Sequence, residues 1–127
     1  MRTLYLPLKF KWYRMIESLI KGEEYRTINH YWAFRLYDCD NPKQRKLCKE
    51  LAKKDTSRIT CNECSLARRI SYDRVTLTLG YPKSDDASRR MTFQFKDLVC
   101  GRGNPEWGAP TDKEVFIIKL GERTDDK

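Results

Sequence analysis

Apolar and polar positions alternate from Thr3 to Leu8, with Leu4, Leu6 and Leu8 on one side and Thr3, Tyr5 and Pro7 on the other. A period of two predicts a half-buried strand. Pro7 has no N–H to give to a ladder, so the strand is expected at an edge or an end. The period then lengthens. Trp12, Met15, Ile16, Leu19 and Ile20 recur at helical spacing and form one apolar stripe. Lys11, Arg14, Glu17, Ser18 and Lys21 are expected on the outer side of that helix, with Gly22 at its end. Glu23 to Ile28 reads as a second strand, and His30 to Leu36 as a short aromatic-rich helix.

Asn41 and Pro42 offer an N-cap and a first helical residue, and a basic helix follows. Lys43 to Arg58 holds seven basic residues against two acidic ones. Leu47 and Leu51 give it only a thin apolar stripe, so it is expected as a satellite insertion rather than core. The second half alternates again, through Val75, Leu77 and Leu79, then Met91, Phe93 and Phe95. Gly80 to Arg89 is turn-like, Cys100 to Asp112 is a loop rich in Gly and Pro, and Val115 to Leu120 is a near-continuous apolar strand. Gly121 onward reads as a polar tail. Helices early, strands throughout and no regular βαβ alternation predict an α+β fold around a mostly antiparallel, closed sheet.

The length, 127 residues, suits a single domain, residues 1–127, with an insertion at about 38–70. The formal charge of +8 changes the picture more. It favours anionic partners such as nucleic acid, nucleotides or membrane headgroups, and it is equally what a solvated basic surface carries. No long apolar h-region precedes Lys9, and no segment approaches the roughly 20 apolar residues of a membrane span. A cytoplasmic protein with no membrane partner is expected. There the five cysteines are thiols or metal ligands rather than disulfides.

Three groups of residues carry candidate chemistry. Lys21 lies at a helix end, while Glu24 and Arg26 share a strand face. Together they can hold a phosphate or carboxylate, Arg26 as a bidentate fork and Lys21 as a point charge. A buried Lys21 can also serve as a base. On spacing alone an ordinary ion-pair network is the favoured reading of the same three residues. In the loop, Gly101, Gly103 and Gly108 allow close backbone approach, Trp107 offers a stacking face and Arg102 can meet a phosphate. Trp107 is equally a plug for the end of a barrel. Cys61 and Cys64 form a C-x₂-C half-site, preceded by Cys39 and Cys48 with eight residues between them. Structural zinc held by Cys39, Cys48, Cys61 and Cys64 and four free thiols both fit this spacing. Lys43, Arg45, Lys46, Lys49 and Lys53 suit phosphate-backbone contacts or a solvated helix face. His30, the single histidine, is expected to be packed or capping. No Ser-His-Asp set and no dinucleotide or P-loop fingerprint is present.

Two stretches resemble a known family. Leu8 to Ile16 followed by Lys21-Gly22-Glu23-Glu24-Tyr25-Arg26 is similar to the ASCH domain (activating signal cointegrator homology), whose signature is G-x-K-x-x-E-x-R. Lys21, Glu24 and Arg26 match its K, E and R, and Leu19 stands where the signature has Gly. Gly22 is expected to take over the helix-ending role. Gly101 to Pro110 with Val115 to Arg123 resembles the C-terminal part of small bacterial and phage members. The resemblance leaves out about 38–70. It implies a PUA-like mixed β-barrel with flanking helices, a small Cys-containing inserted lobe and a cleft beside the first helix. It further implies that RNA or a nucleotide binds there. Some small members are amidohydrolases that remove an acetyl group from acetylated cytidine. In them a Thr nucleophile stands where this chain has Glu24, so a hydrolase here would work differently, with Lys21 as base, Glu24 positioning water and Arg26 stabilising charge.

Overall fold

Leu4, Leu6 and Leu8 do turn to one side, and all three are buried. The computed structural model describes residues 2–38, 42–53 and 68–125. Its elements in chain order are β1 (Thr3–Leu8), α1 (Phe10–Glu17), β2 (Glu23–Arg26), α2 (His30–Leu36), β3 (Tyr37–Asp38), α3 (Pro42–Ala52), β4 (Arg68–Arg69), β5 (Arg74–Leu79), β6 (Arg90–Gly101) and β7 (Val115–Arg123). Five strands form one sheet in the order β1-β5-β6-β7-β2. β1 runs parallel to β5, and the other neighbours are antiparallel.

The sheet curls into a half-barrel rather than a closed one. Two register shifts in β6, between Phe93 and Phe95 and between Phe95 and Asp97, fall where extra residues bend a strand and raise its twist. β1 and β2 are the two edges, which gives Pro7 the edge position its missing N–H requires. Across the seam, Arg26 on β2 donates from its guanidinium to the carbonyl oxygen of Pro7 on β1 at 2.9 Å. A side chain thus links two edges that share no ladder.

β7 explains its own sequence. Phe116, Ile118 and Leu120 enter the main core with the β1 leucines, Val75, Leu77, Met91, Phe93 and Leu98. Val115 and Ile117, on the opposite face, pack with Tyr25 and Ala109 beneath the loop that leads into the strand. Covering on both faces is why the run is almost continuously apolar. The strand also outlasts that run. Arg123 still pairs with Phe93, so the expected polar tail is strand as far as Arg123.

The first helix is shorter than its stripe predicts. Only Tyr13 and Ile16 are buried in it. It ends at Glu17, and Leu19 adopts φ +64°. Leu19 N–H bonds to Ile16 O and Ile20 N–H to Met15 O, the paired bonds of a Schellman turn with Leu19 in its left-handed position. The last two stripe residues therefore face solvent, Leu19 at 79% exposure. The turn also sends Lys21 inward, against the expectation that it faces out.

α2 begins under a cap, the Asn29 side chain accepting from Trp32 N–H at 3.0 Å. After it, Tyr37 pairs with Arg69 and Asp38 with Arg68. The chain between Asp38 and Arg68 therefore leaves and rejoins through this one narrow ladder. Within it, α3 packs against α2. No helix among the described residues is long and apolar enough to cross a membrane.

Candidate functional site

The Schellman turn after α1 and the alternation of β2 bring Lys21, Glu24 and Arg26 together. Glu24 lies opposite Ile118 and Arg26 opposite Phe116 in the β2–β7 register, so both start from the main-core face. Lys21 is 2% exposed and Glu24 4%. One Glu24 carboxylate oxygen accepts from Lys21 Nζ and the other from the Arg26 guanidinium. Arg26 also reaches the carbonyl oxygen of Tyr25 at 2.7 Å. One carboxylate thus serves two cations at the seam, leaving a net positive charge on the side of Arg26.

Lys21 is sealed on its other sides. Its ammonium donates to Trp107 O at 2.7 Å and sits 4.7 Å from the Trp12 ring and 5.4 Å from the Tyr25 ring. Burial pushes its pKa down, and the Glu24 carboxylate pulls in the opposite direction. Tyr25 completes the wall. Burial raises its phenol to about 12, and its oxygen accepts from Asn104 N–H at 2.9 Å.

The loop candidates separate. The backbone of Trp107 meets Lys21, while its ring packs half-buried against the second core cluster. Gly108, at φ +102°, is where a side chain would collide with the Trp12 ring at 2.9 Å. Its lack of a Cβ lets the Pro105–Trp107 turn close over Lys21. Arg102 is exposed and donates to Thr111 O at 2.6 Å, away from this cluster. His30 is buried, and that burial lowers its pKa.

On α3, Lys43, Lys46 and Lys49 are exposed, as is Lys53 just past its end, and the Arg45 guanidinium lies 4.6 Å over the Phe34 ring of α2. Phe34, Tyr31, Arg35, Lys49 and Lys53 line a cavity of about 430 Å³ between the two helices. Of the four cysteines considered for zinc, Cys39, Cys61 and Cys64 lie outside the described residues, and Cys48 is placed only as backbone of α3. No metal-holding group of His, Cys, Asp or Glu occurs among the described residues.

A second cavity lies on the outer side of the seam and contains none of the residues expected from sequence. It measures about 550 Å³ and is walled by Tyr5 and Pro7 of β1, Tyr31, Trp32 and Arg35 of α2, and Tyr81. It touches the buried cluster through Arg26, whose guanidinium lies 5.1 Å over the Trp32 ring and donates to Pro7 O. Sequence carried a signal for it. Tyr5 occupies an outward position of an alternating strand, and Tyr31 and Arg35 stand four apart, on one side of a helix. Comparison with known proteins finds no family model, no curated protein and no solved structure that matches this chain.

Proposed function

We propose that the protein binds RNA or a nucleotide, as its resemblance to ASCH domains implies, with a PUA-like half-barrel as scaffold. The observation that carries this reading is the α2–α3 cavity, where Lys49 and Lys53 stand beside the ring of Phe34 and the guanidinium of Arg35. Cations next to an aromatic wall suit phosphate and base together. The meeting of Lys21, Glu24 and Arg26 adds support, since the K, E and R of the signature converge at one seam. So does Leu19, which stands where the signature has Gly and adopts the backbone that Gly favours. In this reading the buried pair Lys21–Glu24 holds Arg26 and the loop, and α3 meets the backbone.

The test is fluorescence anisotropy with a short RNA across a salt series. Affinity is expected to fall steeply with salt, each phosphate contact adding about 0.7 to the logarithmic slope for a single strand. Changing Lys43, Lys46, Lys49 and Lys53 together to Gln should flatten that slope and weaken binding. Affinity that ignores salt, or a variant that binds as wild type, would sink the proposal.

A hydrolase acting on an acetylated cytidine-like nucleoside is the second reading, and the lowered pKa of Lys21 favours it. Against it, Nζ already donates to Glu24 and to Trp107 O. Mass spectrometry of modified nucleosides incubated with wild type and Lys21→Ala separates the two. Turnover by wild type alone would put Lys21 in an active site.

A further inference from the structure

We propose that the cavity between β1 and α2 stacks an unpaired base, so that the protein takes single-stranded RNA in preference to duplex. This rests on the RNA-binding reading and adds to it a site and a strand preference. Tyr5 is 60% exposed and Tyr81 92%, and both border a cavity that Trp32 also lines. Large rings left in water at the rim of one concavity need a reason, because covering them would be favourable. A base has two apolar faces and satisfies them. The volume, about 550 Å³, is that of a small-ligand site.

The α2 wall is held in place before any ligand arrives. Arg26 is fixed by Glu24 and by Pro7 O, and its guanidinium backs Trp32. Tyr31 meets Trp32 edge-on, with ring centres 5.1 Å apart, and the Arg35 guanidinium lies 4.4 Å over Tyr31. Rings fixed in this way lose little freedom on binding.

The charge has one sign. Tyr31 and Arg35 line both this cavity and the one beneath α3, where Lys49 and Lys53 stand. No acidic residue lines either cavity among the described residues. A strand with its base between the β1 and α2 rings can therefore carry its phosphates past Arg35 to α3. In a duplex the faces are already stacked on neighbouring bases and unavailable.

The experiment measures anisotropy of a fluorescent oligouridylate, alone and annealed to oligoadenylate, against wild type and Tyr5→Ala/Tyr81→Ala. Both side chains are exposed, so the variant should unfold in urea as wild type does. The single strand is expected to bind wild type more tightly than the duplex. The variant should lose roughly 5- to 150-fold per stacked ring. Its salt slope should not change, because no charge is removed. Equal binding of the single strand by the variant, or a duplex bound as tightly, overturns the stacking site and leaves the RNA-binding reading standing. Wild type that binds neither form overturns both.

Discussion

Leu19 holds a backbone that costs a residue with a Cβ about 1–2 kcal/mol. Its side chain is exposed and repays little by packing. Leu19→Gly relieves the turn and gives back part of the gain through the freer unfolded chain. A net stabilisation of about 0.5–1 kcal/mol is expected in urea unfolding. A loss of stability would show that the turn is not held as described. Tyr25 supplies a pH dependence. Below pH 10.0 folded and unfolded chains both keep the phenolic proton. Between 10.0 and about 12 the unfolded chain releases it and the folded chain does not. Stability therefore falls as pH rises through that window. Tyr25→Phe should decline less steeply there than wild type. At neutral pH it should be about 1 kcal/mol less stable, because Asn104 N–H loses its acceptor. Identical alkaline slopes in the two proteins would refute the assignment.

At the scale of elements, the loop between β6 and β7 depends on close approach. A Cβ at Gly103 would lie 2.6 Å from both the Tyr25 ring and the Ala109 methyl, whereas one at Gly22 would meet nothing within 4 Å. Gly103→Ala should cost about 1–3 kcal/mol by overpacking. Gly22→Ala should be neutral or gain up to about 1 kcal/mol through the unfolded state. Thermal melts of the two variants settle the contrast, and a tolerated Gly103→Ala would mean that the loop does not press on Tyr25. The comparison also bears on how the first helix ends. Periodicity predicted a helix through Ile20 closed by Gly22, because Leu19 and Ile20 continue the stripe. Helix α1 has only a short seat on the sheet, and the chain turns at Leu19 to bring Lys21 to Glu24.

For the whole molecule, both core clusters are built from described residues outside 39–67. The chain crosses between them and that segment through the pairing of β3 with β4. Replacing residues 39–67 by a short Gly-Ser turn should leave cooperative unfolding and the β-sheet circular dichroism in place. RNA affinity at low salt should be lost with the α3 cations. A shortened chain that no longer unfolds cooperatively would make the segment part of the core.

Local pattern was enough for much of this protein. The alternation of β1, the extent of α2, the start of α3 at Pro42 and the apolar run of β7 follow from periodicity, caps and proline chemistry, which act over a few residues. The nearness of Lys21, Glu24 and Arg26 was legible in part, since the three lie within six residues of chain and Glu24 and Arg26 share a strand face, but the inward turn of Lys21 was not. What local pattern could not supply is set by pairing over long separations. The parallel register of β1 on β5, the curl that stops at a half-barrel and the Arg26–Pro7 link depend on strands distant in sequence. So does the sealing of Lys21 by the backbone of Trp107, where the ring had drawn attention. The aromatic cavity is the clearest case. Tyr5, Tyr31 and Tyr81 lie on three separate segments, so periodicity turns Tyr5 outward but says nothing of its neighbours, and only the curl of the sheet and the docking of α2 bring them to one wall.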